Sequence, residues 1–454
     1  MQLRHMAALA GTATLIATAL VANPSSAANT DPAASNDERM QRTLAAAKAE
    51  LRTPFETSNG ETWTTVSQAQ KFRRDLDASS DRVSVQKVGK SGQGRPLELI
   101  SVGYPRPKTL DAAADGSVAL FNCSIHGNEP AGREACLQLA RDLSSTNDPT
   151  VKRLLTDTTV QFINVNPDGW EANTRGNADG IDVNRDFMKL ETPEARTLAK
   201  LIRDGKPDVL NDLHEYGPSK YYKDHALQLW PRNRNVDDAI HNLSKNMVNN
   251  YAAPQVESHD GYTAGIYGEY KKDGEPFLQV AGDGQGRILR NYTGLQHITG
   301  QLTETATGAL TPQEQADPAL RNRRRVTVEY ASATGTMDMV LENRARLARQ
   351  SDAAAKRATQ AGADRSGVVY FAGQDNMLPT SSDEVEPEPM CGYQLSRAQL
   401  SSLRTTLRLH GITWERNSTG AYVTLAQPDK PLIPLLLDER SEYRLTEATP
   451  VQTC

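Results

Sequence analysis

The stretch that most constrains the fold is residues 117–143, which reads as a strand, a tight turn and a helix. Residues 118–125 are apolar and β-branched enough for a buried strand, and the polar HGNE that follows cannot continue it. Pro130 suits the first position of a helix, because its missing N–H costs nothing there. The chain must therefore turn sharply between a buried strand and a helix.

This turn carries His126 and Glu129, which are three residues apart and able to point at one ion. Imidazole and carboxylate together suit zinc, and a catalytic zinc keeps three protein ligands with one open position. An isolated HxxE is a short pattern, and its alternative interpretation is a surface histidine beside a helix-capping glutamate. A zinc site at this turn needs a third ligand from elsewhere in the chain.

Later predicted strands also stop at polar residues. Strand 160–165 ends at Asn166 in NPDG, strand 208–213 delivers His214, and strand 298–303 ends at Glu304. In open α/β sheets, ligands bind outside the carboxyl ends of the strands. We therefore expect these three residues and His126 to line one crevice, with His214 as the third metal ligand. Other histidines lack this context and are predicted not to bind the metal: His225, His241, His259, His297 and His410.

A long polar loop follows NPDG and carries Arg175, Asp182, Asn184 and Arg185. Loops of this length without secondary structure are usually functional or disordered. One interpretation is a solvated loop whose arginines make salt bridges. The other uses guanidinium geometry, because an arginine can hold a carboxylate through two parallel hydrogen bonds or donate to an oxyanion.

Helical periodicity marks three further segments. Residues 66–76 place apolar side chains on one face, and residues 318–361 are helix-prone with a predicted interruption at 334–336. Beyond an acidic, Pro-containing linker at 380–389, a helix over 396–410 and strands at 412–414 and 421–425 predict a small α+β unit. The apolar face of the first helix is predicted to comprise Val66, Ala69, Phe72 and Leu76.

The N-terminus resembles a secretory signal peptide, with Arg4, a short apolar run and small residues ending at Ala27 and Ala28. Residues 1–28 are therefore predicted to be removed, and 29–54 to form a flexible lead-in. No later segment approaches the roughly 20 apolar residues that a membrane span needs. We expect a secreted, extracellular protein.

Charge and cysteine content narrow the partners and the redox state. The net charge of −5 and the absence of a basic stripe give no electrostatic case for nucleic acid or an anionic membrane. Export permits disulfides, and Cys391 and Cys454, which bracket the small C-terminal unit, are predicted to pair. Cys123 and Cys136 fit two buried free thiols at least as well as a disulfide.

In this order, the motifs HGNE, NPDG, Arg175, DVNRDF, DLH and LTET resemble those of the zinc carboxypeptidase family of the carboxypeptidase A type, over residues 63 to about 310. The resemblance implies an α/β fold with a mixed, mostly parallel eight-stranded sheet between helices. From the linker and the periodic segments beyond it, we expect a catalytic domain at 55–362, followed by the small C-terminal domain at 363–454.

The resemblance also implies an activity and residue roles. His126, Glu129 and His214 match the ligands of one zinc ion per chain, and Glu304 matches the general base that acts on a zinc-activated water. Arg175 would lie beside the scissile carbonyl. The pair that holds the terminal carboxylate of a peptide substrate would be Asn184 and Arg185.

Two other functions stay open at this stage. HGNE, DVNR and DLH also occur in related zinc-dependent deacylases of N-acyl amino acids. A secreted binding protein that has lost turnover would keep the fold, but it would usually lack a ligand or the base. Tyr292 is the candidate for the family's mobile tyrosine. The preferred terminal residue, the natural substrate and the oligomeric state do not follow from the sequence.

Overall fold

The computed structural model describes residues 51–107, 116–272, 275–278, 284–373, 375, 385–386 and 391–454. The predicted signal peptide, most of the predicted lead-in and most of the acidic linker lie outside the described residues. Within the described part of the chain, no helix combines the length and the apolar character needed to cross a membrane.

The strands up to the start of the C-terminal unit are β1 (Val83–Lys90), β2 (Pro96–Val102), β3 (Ser117–Asn122), β4 (Thr158–Ile163), β5 (Val209–Tyr216), β6 (Ala226–Leu229), β7 (Ala264–Ile266), β8 (Glu269–Lys272), β9 (Glu275–Leu278) and β10 (Thr299–Ala306). The helices are α1 (Pro54–Thr57), α2 (Val66–Ser79), α3 (Pro130–Ser145), α4 (Pro149–Asp157), α5 (Pro167–Ala172), α6 (Pro193–Gly205), α7 (Asp238–Met247), α8 (Ala253–Glu257), α9 (Leu289–Leu295), α10 (Pro312–Ala316) and α11 (Pro318–Ala363).

Among the described residues, eight strands form one sheet in the order β1-β2-β4-β3-β5-β10-β6-β7. The pairs β3 with β4, β3 with β5, β5 with β10 and β6 with β7 are parallel. The remaining neighbours are antiparallel. This confirms the predicted α/β fold with a mixed, mostly parallel sheet. Because β3, β5 and β10 are adjacent and parallel, their carboxyl ends meet at one edge.

Two helices form as the sequence predicts. Helix α2 is capped by Thr65, whose side chain accepts from the backbone N–H of Gln68 while the Gln68 side chain accepts from the N–H of Thr65. Helix α3 begins at Pro130, directly after the HGNE turn. The predicted apolar face of α2 is buried throughout, at Val66, Ala69, Phe72 and Leu76.

Helix α11 runs for 46 residues without the interruption predicted at 334–336, so that prediction is wrong. Gly335 lies where the helix passes the backbone of Tyr251, and a Cβ there would lie 2.5 Å from the Tyr251 carbonyl oxygen. The hydroxyl of Thr336 donates to the carbonyl of Ser332, one turn earlier. These residues therefore serve close packing and do not end the helix.

Gly335→Ala should lower the free energy of unfolding by about 1–3 kcal/mol, the usual cost of overpacking a tight interior site. On an open helix the same change would stabilise by roughly 0.5–1 kcal/mol, so the sign of the effect is informative. Gly205→Ala is a matched control, because nothing lies within 4 Å of a Cβ at Gly205 in helix α6. Denaturant unfolding measures both, and a stabilised Gly335→Ala variant would refute the packing explanation.

The chain after α11 forms β11 (Val369–Tyr370), β12 (Val385–Glu386), β13 (Gly392–Ser396), α12 (Arg397–Leu409), β14 (Glu415–Arg416), β15 (Gly420–Thr424), α13 (Ile433–Leu437) and β16 (Thr449–Val451). Strands β14-β15-β13-β16 form a separate sheet. The predicted helix is present with Ser396 as its cap, and the strand predicted at 412–414 lies at β14 instead. Tyr393 and Leu395 pack in one core with Leu198 and Ile202 of α6.

Both cysteine pairs are disulfides in the structure. The predicted bond between Cys391 and Cys454 is present and ties the chain end to the start of β13. Cys123 and Cys136, left open by the sequence, are also bonded, and they join the residue after β3 to helix α3. The Cys123–Cys136 disulfide therefore closes the strand–turn–helix segment that carries the HGNE motif.

Candidate metal centre

The turn that carries His126 and Glu129 is held tightly against a second loop. A Cβ at Gly127 would collide with the backbone of Gly169 in the NPDG motif, so only glycine fits. The Ser124 hydroxyl donates to the carbonyl of His126 over 2.6 Å. The HGNE and NPDG motifs, 40 residues apart in the chain, therefore fix one another's backbone. This sets the direction in which the His126 and Glu129 side chains point.

His214 and Glu304 lie inside their strands, two residues before each strand ends, and not directly after the strands as the sequence suggested. They are register partners on the parallel pair β5 and β10. Strand β5 also pairs with β3, which leads into the HGNE turn. Adjacent strands thus bring residues that are far apart in the sequence to one edge of the sheet.

The three predicted ligands meet at this edge, and all three side chains are buried. Nδ1 of His126 lies 2.9 Å from Oε1 of Glu129, and Nδ1 of His214 lies 3.0 Å from Oε2 of Glu129. The two Nδ1 atoms are 3.1 Å apart. Each residue therefore offers one donor atom to a common point.

This donor set fits a zinc ion. With Zn–N and Zn–O bonds of about 2.0–2.1 Å, neighbouring ligand atoms of a tetrahedral site are separated by roughly 3.3 Å. The observed separations of 2.9–3.1 Å are close to that value. Three ligands leave a fourth position open, as catalytic zinc sites require.

Each histidine is oriented by a carboxylate on its far nitrogen. Nε2 of His214 lies 2.8 Å from Asp212, and Nε2 of His126 lies 3.1 Å from Asp182. Asp212 is itself fixed by a hydrogen bond from the side chain of Asn122. Such outer carboxylates fix the tautomer so that Nδ1 faces the metal. The sequence analysis named Asp182 only as a loop residue and did not identify Asp212.

The pKa values reflect the concentration of acidic groups here. Burial alone would raise the pKa of Glu129, but the charge of His126 and hydrogen bonds from both histidines lower it to about 2. Burial opposes protonation of His214, yet Asp212 and Glu129 raise its pKa well above the usual value. The carboxylates around the two imidazoles thus favour a cation between them.

A cavity of about 300 Å³ opens onto the three ligands. Glu304 lines it, and burial, reinforced by the neighbouring Glu129, raises the pKa of Glu304 to about 7. A carboxyl group with that pKa can both accept and release a proton near neutral pH. Glu304 therefore lies beside the ligand set with a pKa raised to near neutrality.

The predicted substrate-binding residues line the same cavity. Arg175 is about half exposed, and its guanidinium lies 3.4 Å from Glu129 and 3.0 Å from Asp182. Asn184 is fixed by the backbone N–H of Leu289, which donates to its Oδ1. The guanidinium of Arg185 donates to the carbonyl of Asn184 over 2.8 Å. The cavity thus presents several side-chain hydrogen-bond donors beside the three predicted metal ligands.

Two residues named from the sequence lie elsewhere. Asn166 does not line the cavity; its amide donates to the carbonyl of Ile125, and its Oδ1 caps helix α5, which the sequence analysis had read as loop. Tyr292 is fully buried, with its hydroxyl 3.1 Å from Nδ1 of His410, so it is not available as a mobile cavity residue. Neither residue lines the cavity.

The cavity wall also includes residues without a predicted role in the site. Tyr222, between β5 and β6, and Tyr267, between β7 and β8, both line it. Glu215, the residue after His214, accepts from the N–H of Ala131 in α3 and pairs with Arg325 of α11. The DLHE sequence could have suggested a role for Glu215, but its partner lies 110 residues away.

Comparison with known proteins gives a consistent result. Residues 69–325 match the sequence profile described as zinc carboxypeptidase. Carboxypeptidase 2 of Trichophyton equinum is 28% identical over 249 residues, which cover 52% of this chain and 45% of that protein. Carboxypeptidase E of Caenorhabditis elegans is 28% identical over 166 residues, which cover 33% of this chain and 31% of that protein. The chain thus spans about half the length, or less, of these relatives.

Solved carboxypeptidase structures are less similar to this chain in sequence than these relatives are. A metallo-carboxypeptidase from Burkholderia cenocepacia aligns with a TM-score of 0.47 at 18% identity, covering 62% of this chain and 70% of that one. A metallo-carboxypeptidase from Pseudomonas aeruginosa gives a TM-score of 0.46 at 16% identity, over 62% and 70% of the two chains.

Proposed function

The chain belongs to the zinc carboxypeptidase family, and from this premise we propose that it hydrolyses the last peptide bond of peptides with a free C-terminus. One observation carries the proposal. The ligand triad, Glu304 and the Asn184–Arg185 pair line one cavity, so a metal, a base and an anion clamp act on one substrate. The comparisons favour neither the deacylase nor the inactive binding protein.

We propose one zinc ion per chain, held by His126, Glu129 and His214. Among the described residues, these three form the one group of metal-binding side chains whose donor atoms converge, within 4.8 Å of one another. When bound, zinc polarises the scissile carbonyl and makes water a stronger acid.

The protein's own groups would then divide the reaction between them. Glu304 accepts the proton of the attacking water and passes it to the leaving amine. Arg175, which lines the cavity, donates to the carbonyl oxygen as negative charge develops on it. Asn184 and Arg185 hold the terminal carboxylate, so that only the last peptide bond reaches the reacting groups.

We further propose that the protein is exported and acts outside the cell. Both described disulfides suit an oxidising compartment.

The family match ends at residue 325, and β13 to β16 form their own sheet. This supports residues 363–454 as a small accessory domain packed on a catalytic domain at 55–362.

Peptide hydrolysis should depend on the free terminal carboxylate. Amidation removes that charge, and each hydrogen bond to a charged group contributes about 1.5–3 kcal/mol, so kcat/KM should fall at least tenfold. Mass spectrometry of a peptide library digested by the zinc-loaded protein should show loss of single C-terminal residues.

N-acetylated peptides are the matched control, because they change the other end of the chain and should be cleaved at the normal rate. Equal cleavage of free and amidated peptides would indicate an endopeptidase. Cleavage restricted to small N-acyl amino acids would indicate a deacylase. Either result would overturn the proposed function.

A further inference from the structure

A second cavity, of about 430 Å³, lies at the junction between the last third of helix α11, strand β11 and the C-terminal unit. It shares no lining residue with the metal cavity. More than half of its lining comes from residues 354–370 and 430–431, which follow the region that matches the family. Most of the cavity lining therefore lies beyond the region that matches the family.

Two positive groups that have no acidic partner among the described residues face this cavity. Lys430 is only 9% exposed, takes part in no ion pair between described residues, and has its pKa lowered by burial. The guanidinium of Arg234 rests 3.9 Å above the ring of Tyr370, and its Nη1 is buried without a hydrogen-bond partner. A buried, unpaired cation costs free energy, which a bound anion would offset.

His297 adds a third polar group to the same wall. It is buried, and its Nε2 donates to the carbonyl of Pro428 over 2.8 Å. Among the described residues, its Nδ1 is shielded from solvent and has no hydrogen-bond partner. Burial lowers the pKa of His297, and because Nε2 is the donor, Nδ1 of the neutral ring is an acceptor, so His297 adds no positive charge to the cavity.

The other charged groups on the wall are accounted for. Arg357 and Asp237 form a two-pronged ion pair, with distances of 2.8 and 2.7 Å, and so neutralise one another. Asp238 is exposed, at the solvent edge of helix α7. The interior charge of the cavity is therefore set by Lys430 and Arg234.

The rest of the lining is largely apolar. Small aliphatic side chains of helix α11 and residues of the segment around β11 contribute to it. The apolar lining residues are Val236, Ala354, Ala358, Ala361, Val368, Val369 and Pro431. An inorganic anion would leave these walls without contacts, whereas an anion on an apolar body would cover them.

We propose that this cavity binds a small organic carboxylate with an apolar body, with Lys430 and Arg234 holding the carboxylate. The site is independent of the metal centre. A guanidinium, an ammonium and aliphatic side chains line the same cavity and give the site both charge and shape selectivity.

Isothermal titration with 4-methylpentanoate tests this, because that compound has a carboxylate, an apolar body and no bond for a peptidase to cut. The titrations use the zinc-loaded Arg185→Met protein, which lacks the proposed carboxylate clamp of the metal cavity. One equivalent should still bind. Adding Lys430→Met or Arg234→Gln should weaken that binding at least tenfold, and 4-methylpentanamide should not bind detectably.

Lys356→Met is the matched control, because Lys356 is exposed on α11 and does not line the cavity, and it should bind normally. Lys430→Met in the otherwise unchanged protein should keep normal peptidase activity and thermal stability, which separates lost binding from misfolding. Equal binding by the Lys430→Met and Arg234→Gln proteins, or equal binding of the amide, would overturn the proposal. The comparison at Lys430 does not depend on the assigned role of Arg185, so either proposal can fail alone.

Discussion

The His126→Ala protein should contain essentially no zinc after purification, while the unchanged protein contains one ion per chain. Three ligands are the minimum of a catalytic zinc site, and the substitution leaves only Glu129 and His214. Zinc analysis of extensively dialysed protein measures the content directly. Asp212→Asn should give an intermediate result, with zinc affinity reduced about 10–100-fold, because the ligands remain while His214 loses its orienting carboxylate.

His225→Ala is the matched control for zinc loss. His225 is half-buried, stacks on Tyr262 and contacts none of the three ligands, so its removal should leave the zinc content unchanged. Normal zinc content in His126→Ala would refute the ligand assignment. Full affinity in Asp212→Asn would refute the orienting role of that carboxylate while leaving the ligands in place.

The sequence predicted the parts of this site that depend on local pattern. The buried strand, the Pro130 helix start and the HGNE turn between them lie within residues 117–143, and the structure forms them there. His214 and Glu304 could be placed because each belongs to an apolar strand whose direction is set by the parallel sheet. Periodicity ended these two strands at 213 and 303, three residues before their ends at 216 and 306, since a polar residue inside a strand looks like its end.

Contacts between distant segments were not predictable. Asp212 and His214 share a face because they are two residues apart on one strand, but the sequence pattern does not show that the carboxylate reaches Nε2 of the ring. Gly335 looked like a helix break because its partner, the Tyr251 backbone, is 84 residues away in the chain. Tyr292 was a candidate cavity residue on its local sequence alone. Only the folded structure places its hydroxyl against His410 of the C-terminal unit.

The same limit applies to the cysteines. Cys391 and Cys454 bracket a unit with its own predicted helix and strands, so their pairing followed from the order of the chain. Cys123 and Cys136 lie on a buried strand end and a buried helix, where a free thiol packs equally well. Only the approach of α3 to the end of β3 decides that they bond.

Glu304→Gln should separate metal binding from catalysis. Glu304 lines the cavity beside the ligands but is not one of the three converging donors. An amide of the same shape cannot accept the proton of water, so kcat should fall by about 10² to 10⁴, the range typical of a positioned acid–base group. Zinc content, folding and KM should change little, because the amide preserves the shape of the cavity and the carboxylate clamp is untouched.

Zinc content and kcat have to be measured on the same preparation of Glu304→Gln, with His126→Ala alongside as the variant expected to lose both. If Glu304 only lined the wall, the substitution would leave turnover near normal with full zinc, and the proposed proton transfer would be wrong. If zinc disappeared together with activity, Glu304 would be a ligand and the base would have to be another group. Loss of turnover with zinc retained is the one outcome that assigns the proton transfer to this carboxylate, because it removes the reaction while leaving the metal in place.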